Sequence, residues 1–340
     1  VQGKFDVTLV SKNTLKGDLH EKFEALGATI VYKSFGYFNL SSMRYLLGLF
    51  RKSKFETVCD FTGNFGGLSM FLANLAGVKT RITFYRRSTI AFTPTAFRKF
   101  YNNLVNRMVY KYSTAILSNS RFAFENFFPN EYKNDKRFRI IPNGVDANHF
   151  NSVTETKQQL RKKNNLPEDA VIIGHIGRLD PAKNHPVILE TIQMIMLENK
   201  DICLVLCGKG TDAPDFMQKI EATGFADRIF ALGMHNNVEE IYRTFDVFFF
   251  PSVTEGQPNA LIEAMLSDVP VVASNIQPII EATPESIHRY LVEPKDAVKF
   301  KDMLMNVLKD DALRRDLLQK DWATKRFDPV VNFKLFENEL

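Results

Sequence analysis

The chain has 340 residues, 45% of them hydrophobic and 24% charged, which is ordinary for soluble globular protein and long enough for two domains, each with its own core. Net charge is +5 with a pI near 8.9, but the basic residues form no dense tract and no helix-turn-helix, zinc or RNP signature occurs, so nucleic acid ranks behind an anionic membrane surface or anionic substrates as a partner. No apolar run approaches the ~20 residues that span a bilayer, and VQGKFDVTLV reads as a strand entrance rather than a signal peptide, so a cytosolic protein with at most peripheral membrane contact is expected.

Strand and helix patterns alternate along the whole chain, the signature of α/β architecture with parallel sheets. FDVTLVS, ATIVYKS, TVCDFTG, TRITFYR, TAILSNS and FRIIPN read as strands, separated by helical stretches around 17–26, 42–52, 66–76, 95–112 and 121–128. After Pro142 the chain turns polar through NGVDANHF and NSVTETKQQLRKKNNLPED, where a hinge is expected. AVIIGHIGR, ICLVLCG, RIFALG, DVFFFPS, VPVVAS and YLVEP form a second strand set, and FDPVVNFKLFENEL closes the chain as a helix. Two consecutive doubly wound sheets follow.

Three cysteines, Cys59, Cys203 and Cys207, all lie in strand-like apolar runs. On a strand, Cys203 and Cys207 would stand more than about 10 Å apart, too far for a disulfide or a shared metal. They read as small buried hydrophobes of a reducing compartment. No Asp-x-Asp occurs and the six histidines are scattered without ligand spacing, so no essential metal is expected.

The most informative stretch is 248–274, FFFPSVTEGQPNALIEAMLSDVPVVAS. An apolar strand runs into a polar loop, a helix opens at Pro258, and a second strand closes a βαβ unit. The loop therefore lies outside the carboxyl ends of parallel strands, where such sheets bind ligands. Proline suits a first helical turn. The amides of Asn259, Ala260 and Leu261 are helix-terminal donors, a natural seat for phosphate. Glu255 in the loop and Glu263 in the helix flank that seat as acceptor-only carboxylates, an arrangement suited to a ligand with hydroxyls on both sides of a phosphate, such as a nucleotide-sugar. The plainer reading makes Glu263 a solvated helix residue and Glu255 a favourable charge at the helix dipole. Upstream, Arg178 and Lys183 follow the strand containing Gly177; two fixed cations there would stabilise a departing diphosphate in place of a metal.

EGQPNALIEAM, IGRLDPAKN (176–184) and IPNGVDANHF (141–150) together resemble the retaining nucleotide-sugar glycosyltransferases of the GT-B architecture, particularly those that build capsular and exopolysaccharides. The resemblance is close over the C-terminal two thirds and loose before it. It implies two Rossmann-like domains facing across a cleft: an acceptor-side domain over 1–145, a nucleotide-sugar domain over 146–324, and a helix over 325–340 crossing back. It assigns Glu255, Arg178 and Lys183 to catalysis, with Glu255 facing the donor sugar and the two cations on the diphosphate. Glu263 would hold the ribose hydroxyls, and Gly256, Gln257, Pro258, Asn259, Ala260 and Leu261 the sugar and distal phosphate. The base would rest near Leu232, Gly233 and Met234, and Gly177 would border the phosphates. UDP is the expected carrier by its frequency in the family, with GDP and ADP open, and no further cofactor is implied.

Nothing places a carboxylate as a covalent nucleophile, and the resemblance implies front-face attack. Arg86 and Arg87 stand where many relatives carry a histidine, and with Asn64 in DFTGNFGG they are acceptor-side candidates for a glycan or lipid-linked acceptor. The helices SSMRYLLGLFRKSKF and TAFRKFYNNLVNRMVYKYS mix basic and aromatic residues, as membrane-interface helices do, although core helices share that pattern. The family's usual opening strand, glycine-rich loop and helix have no counterpart before KFDVTLVSK, so a truncated start is expected, with loss of backbone donors near the phosphates. A catalytically idle nucleotide-binding scaffold and a GT-B sugar epimerase are the alternatives.

Overall fold

The computed structural model describes residues 4–17, 19–34, 39–88 and 95–340. Residues 1–3 of the first predicted strand entrance, position 18 of the helix expected over 17–26, and Thr89 of the RITFYRRST stretch fall outside these.

Eleven strands are formed among the described residues, all pairing in parallel. In the N-terminal half they are β1 (Thr8–Ser11), β2 (Thr29–Tyr32), β3 (Thr57–Asp60), β4 (Thr80–Tyr85), β5 (Ala115–Ser118) and β6 (Phe138–Ile140). The C-terminal half contributes β7 (Val171–Ile176), β8 (Ile202–Cys207), β9 (Ile229–Ala231), β10 (Val247–Phe250) and β11 (Val271–Ala273). β3 to β6 pair in chain order, whereas β1 and β2 form a separate two-stranded sheet. The two are tied by Lys12 just past β1, whose ammonium lies 2.7 Å from Asp60 Oδ2 at the end of β3.

The second sheet runs β11-β10-β7-β8-β9. From the central β7 the chain steps outward through β8 and β9, then returns to β10 on β7's other side. The reversal opens a crevice between the carboxyl ends of β7 and β10, which is where open α/β sheets take ligands. Both β8 (ICLVLC) and β10 (VFFF) are buried at every position, as expected of parallel strands covered on both faces. Gly174 in β7 is required by packing: a Cβ there would lie 2.2 Å from the Phe245 ring.

The polar stretch 151–169, part of the expected hinge, is ordered. Asp146 caps a helix over Ala147–Asn151, and Thr156 and Gln159 form a capping box on Lys157–Lys163. Arg161 is 4% exposed; its guanidinium donates to the carbonyls of Thr244, Glu168 and Ala170 and meets Asp246 at 2.6 Å. Burial alone would raise the Asp246 carboxyl, but Lys157 and Arg161 hold it below the ordinary range. This segment is thus pinned to the C-terminal half. YLVEP forms only a single bridge, Val292 with Ser274.

The final helix, Pro329–Glu337, lies against the N-terminal half. Phe336 packs on Phe61 and Phe84, with ring centroids 5.9 and 6.1 Å away, and Thr57 Oγ1 donates to the Leu340 carbonyl at 2.7 Å. Ion pairs Lys4–Glu337 and Arg139–Glu339 flank this contact. Cys203 and Cys207 are buried and Cys59 half-buried, all free thiols.

Candidate active site

β10 ends at Phe250, and the loop 251–258 carries Glu255 into the crevice. Asn184, in a left-handed conformation, anchors the loop by donating from its amide to the carbonyls of Pro251 (3.0 Å) and Pro294 (2.7 Å). Val253 N–H donates to Ala182 at 2.9 Å. The turn after β7 and the loop after β10 are therefore one unit.

Within it, Lys183 Nζ lies 2.6 Å from Glu255 Oε1, their side chains only 17% and 11% exposed, and the ammonium also sits 4.9 Å from the Phe250 ring centroid. A cation and an acceptor are thus joined at the crevice floor. Arg178 is different: its side chain is 63% exposed and, among the described residues, its one ion pair is a 3.5 Å contact of Nε with Asp180, leaving its fork open to a ligand.

The helix after the loop is Asn259–Leu266, and Pro258 is its cap rather than its first turn. This corrects the expected phosphate seat. Asn259 N–H donates to Gln257 O and Leu261 N–H to Pro258 O, each at 3.0 Å. Of the three expected amides, only Ala260 N–H lacks an acceptor among the described residues. Glu263 projects from this helix with a carboxyl oxygen 3.0 Å from the Tyr242 hydroxyl, whose single proton it shares with the Ala260 carbonyl, also at 3.0 Å. Burial raises the Glu263 carboxyl above its ordinary range, against the opposing pull of the Tyr242 bond.

Behind the crevice three glycine turns stack. Gly177 N–H donates to Cys207 O at 2.9 Å, and Gly208 N–H to Gly233 O at 2.7 Å. A Cβ on Gly208 would lie 2.4 Å from Gly177 O, and one on Gly233 would lie 2.5 Å from Asp212 Oδ2. Gly208 and Gly233 also have positive φ, 143° and 67°, so both positions require glycine. Met234 follows Gly233 and is 73% exposed. Beneath Gly177 lie His175 and His185, ring centroids 5.1 Å apart. Burial pushes His175 well below its ordinary value and His185 down to about 4.

The N-terminal half meets this unit at the carboxyl end of β4. Ser88 Oγ donates to the Glu255 carbonyl. A Cβ on Gly256 would stand 2.2 Å from Arg86 O and 3.3 Å from Arg87 Cα, so Gly256 allows the two segments to touch. Arg86 and Arg87 are both exposed. Asn64, by contrast, is 7% exposed and donates to Asn102 Oδ1 at 3.3 Å, so its side chain is spent inside the N-terminal half.

Three residues at this junction, and Tyr242 buried beneath Glu263 in the C-terminal half, escaped the sequence reading. Asn143 is a bridge: its Oδ1 accepts from the Asn119 amide (3.3 Å), its N–H donates to Gln257 Oε1 (2.6 Å), its amide to Asn259 Oδ1 (2.7 Å), and its carbonyl accepts from Asn332 (3.2 Å). Glu281 accepts the N–H groups of Arg121 (2.7 Å) and Phe122 (2.9 Å), opening the Arg121–Phe127 helix of the other half. Ser88 and Tyr242 are the others. Asn143 lay within IPNGVDANHF and Ser88 beside Arg86 and Arg87; Glu281 and Tyr242 carried no signal.

Two parallel-sheet units meeting at their carboxyl ends, with the ligand crevice at the switch point of the second, define the GT-B class. Residues 156–321 match the family model described as Glycosyl transferases group 1. The solved structure of Anabaena Alr3699/HepE in complex with UDP superposes with a TM-score of 0.81 at 15% identity, covering 97% of this chain and 90% of that one. Among curated proteins, the chain is 24% identical over 328 residues to the Escherichia coli UDP-Gal:alpha-D-GlcNAc-diphosphoundecaprenol alpha-1,3-galactosyltransferase, covering 95% of this chain and 84% of the relative. It is 26% identical over 330 residues to the capsular polysaccharide biosynthesis glycosyltransferase CapH of Staphylococcus aureus, covering 94% and 81%. The chain thus has the GT-B fold, and residues 156–321 of its C-terminal half match a glycosyltransferase family.

Proposed function

We propose that this glycosyltransferase moves a hexose or N-acetylhexosamine, with retention and without a metal, from a UDP-sugar to a glycan or lipid-linked acceptor of a surface polysaccharide. The observation that carries the reading is the crevice itself: Arg178, Lys183, Glu255, Glu263 and the Ala260 N–H converge on the switch point of the second sheet. The named relatives point the same way, one acting on a diphosphoundecaprenol-linked sugar and one working in capsule synthesis.

In this reading Glu263 accepts from the ribose hydroxyls, held by Tyr242. Arg178 and Lys183 meet the diphosphate, whose oxygens gain charge as the glycosidic bond breaks; fixed cations then stabilise the transition state more than the bound donor. Lys183 turns from Glu255 toward the phosphate, freeing the carboxylate to accept from sugar hydroxyls. With Arg178 and Lys183 holding the leaving phosphate beside the reacting sugar, front-face attack assisted by that phosphate is favoured over a covalent glycosyl-enzyme.

No helix of the described residues is long and apolar enough to cross a membrane. Peripheral contact with an anionic membrane, at its cytoplasmic face, is part of the proposal. Helix Ala96–Tyr112 exposes Phe97, Phe100 and Leu104 beside Lys99, Arg107 and Lys111, an arrangement that supports interfacial binding.

The test is release of UDP from UDP-glucose, UDP-galactose, UDP-N-acetylglucosamine and UDP-N-acetylgalactosamine in the presence of EDTA and diphosphoprenyl-linked sugars, with the product's anomeric configuration read by NMR. A retained configuration from one donor is expected. Inverted product, or UDP release only with added metal, would overturn the corresponding part. Co-sedimentation with phosphatidylglycerol vesicles but not neutral ones is expected; equal partitioning would remove the membrane contact.

A further inference from the structure

The two halves differ sharply in charge. Residues 1–145 hold 22 Lys/Arg against 9 Asp/Glu, whereas the remainder holds 22 against 30. Between Asp60 and Glu125 there is no acidic residue at all. Arg86 and Arg87 lie in this stretch, immediately after β4, at the carboxyl end of its sheet. Both are exposed, and neither makes an ion pair among the described residues. The contact of Arg86 O with Gly256, and of Ser88 with Glu255, puts both arginines beside the loop assigned to the donor sugar. In the reading above the donor phosphates have their own cations, Arg178 and Lys183, in the turn after β7.

We propose that Arg86 and Arg87 bind the phosphate of the acceptor, and that the acceptor is accordingly a sugar carried on a diphosphate ester. The proposal rests on the glycosyl-transfer reading above. The attacking hydroxyl must reach the donor sugar at Glu255–Gly256, so a phosphate on the acceptor sugar's reducing end lies about one ring away, on the side of Arg86 and Arg87. A guanidinium fork matches phosphate oxygens in bidentate fashion. Two adjacent guanidiniums call for two negative charges; a diphosphate supplies them, whereas a single sugar carboxylate leaves one cation unmatched. The surrounding surface, free of acidic residues over that stretch, steers such an acceptor toward the cleft.

The experiment compares two acceptors with the same sugar and the same short alkyl chain, one joined through a diphosphate and one through an ether, in the wild type, Arg86→Gln, Arg87→Gln and the double variant. For the diphosphate acceptor, KM should rise roughly tenfold per arginine removed and more for both, with kcat changed less than threefold. For the ether acceptor, KM should be high in the wild type and unmoved by either substitution. Calorimetric titration of geranyl diphosphate into UDP-saturated protein should show binding that the double variant loses, while UDP affinity stays at the wild-type value. Equal KM increases for both acceptors, or no increase for either, would overturn the proposal. If the wild type turns over both acceptors equally well, the glycosyl-transfer reading stands and the phosphate site falls. If it binds UDP but transfers to neither and binds no geranyl diphosphate, both fall.

Discussion

Gly256→Ala tests whether the contact between the halves belongs to the working enzyme. The added methyl would sit 2.2 Å from the Arg86 carbonyl oxygen and 3.1 Å from its carbon. Carbon–oxygen contacts settle near about 3.3 Å, so the Arg86 and Gly256 segments must part by about 1 Å. Gly256 has no left-handed backbone, so alanine brings no local strain, and the second core is untouched. UDP is held by residues of the C-terminal half and should bind within about twofold of wild type. Transfer is another matter, because a displacement of about 1 Å across reacting atoms costs roughly a hundredfold. Steady-state UDP release with saturating acceptor reads kcat, and calorimetry reads UDP affinity on the same preparation. Ser88→Ala removes a tie to Glu255 without wedging the halves apart and should cost only a few-fold. Wild-type kcat in Gly256→Ala would refute the reasoning, since the observed junction would then not be the catalytic one.

Glu263 must be a carboxylate to accept from a ribose, and burial raises its pKa above the ordinary 4.5; UDP affinity should therefore be full above that raised value and fall as pH drops through it. Tyr242→Phe removes the bond that opposes the rise, moving the loss to higher pH, and calorimetry at stepped pH would show an unmoved profile if the assignment is wrong. Arg161→Met leaves the carbonyls of Thr244, Glu168 and Ala170 without their buried donor and Asp246 with Lys157 as its remaining cation, and should cost about 3 kcal/mol, lowering Tm by roughly 6–12 °C in scanning calorimetry; an unchanged Tm would contradict the pinning of 157–163. His185 titrates at about 4 when folded and near its ordinary 6.5 when unfolded. It therefore contributes stability that is complete above pH 6.5 and lost as pH falls toward 4, at up to about 1.4 kcal/mol per pH unit. Replacing it with leucine should flatten the urea midpoint between pH 7 and 5, and a slope as steep as wild type would be the contrary result.

Strands such as β8 and β10 were legible because a parallel strand buried on both faces is written as an unbroken apolar run. The Glu255–Glu263 pair was legible through local order: strand, loop, helix, strand. The helix start moved by one residue because Pro258 caps the helix, and the carbonyls of Gln257 and Pro258 accept two of the three amides taken as free. The stretch 151–169 read as a hinge because its inward-facing residue is Arg161, whose partners are carbonyls far along the chain that no periodicity reveals. Asn143 and Glu281 act across separations of more than a hundred residues. Contacts of that kind are set by how two sheets meet, and their residue types are ordinary for loops and helix ends.

The central claim is that the crevice between β7 and β10 is a nucleotide-sugar site with Glu263 on the ribose. Calorimetric titration of UDP, GDP and ADP into the wild type and Glu263→Ala, without metal, tests it most directly. Micromolar binding of UDP in preference to the other two, weakened at least tenfold in the variant, is the predicted result. Binding of no nucleotide, or UDP affinity indifferent to Glu263, would contradict it.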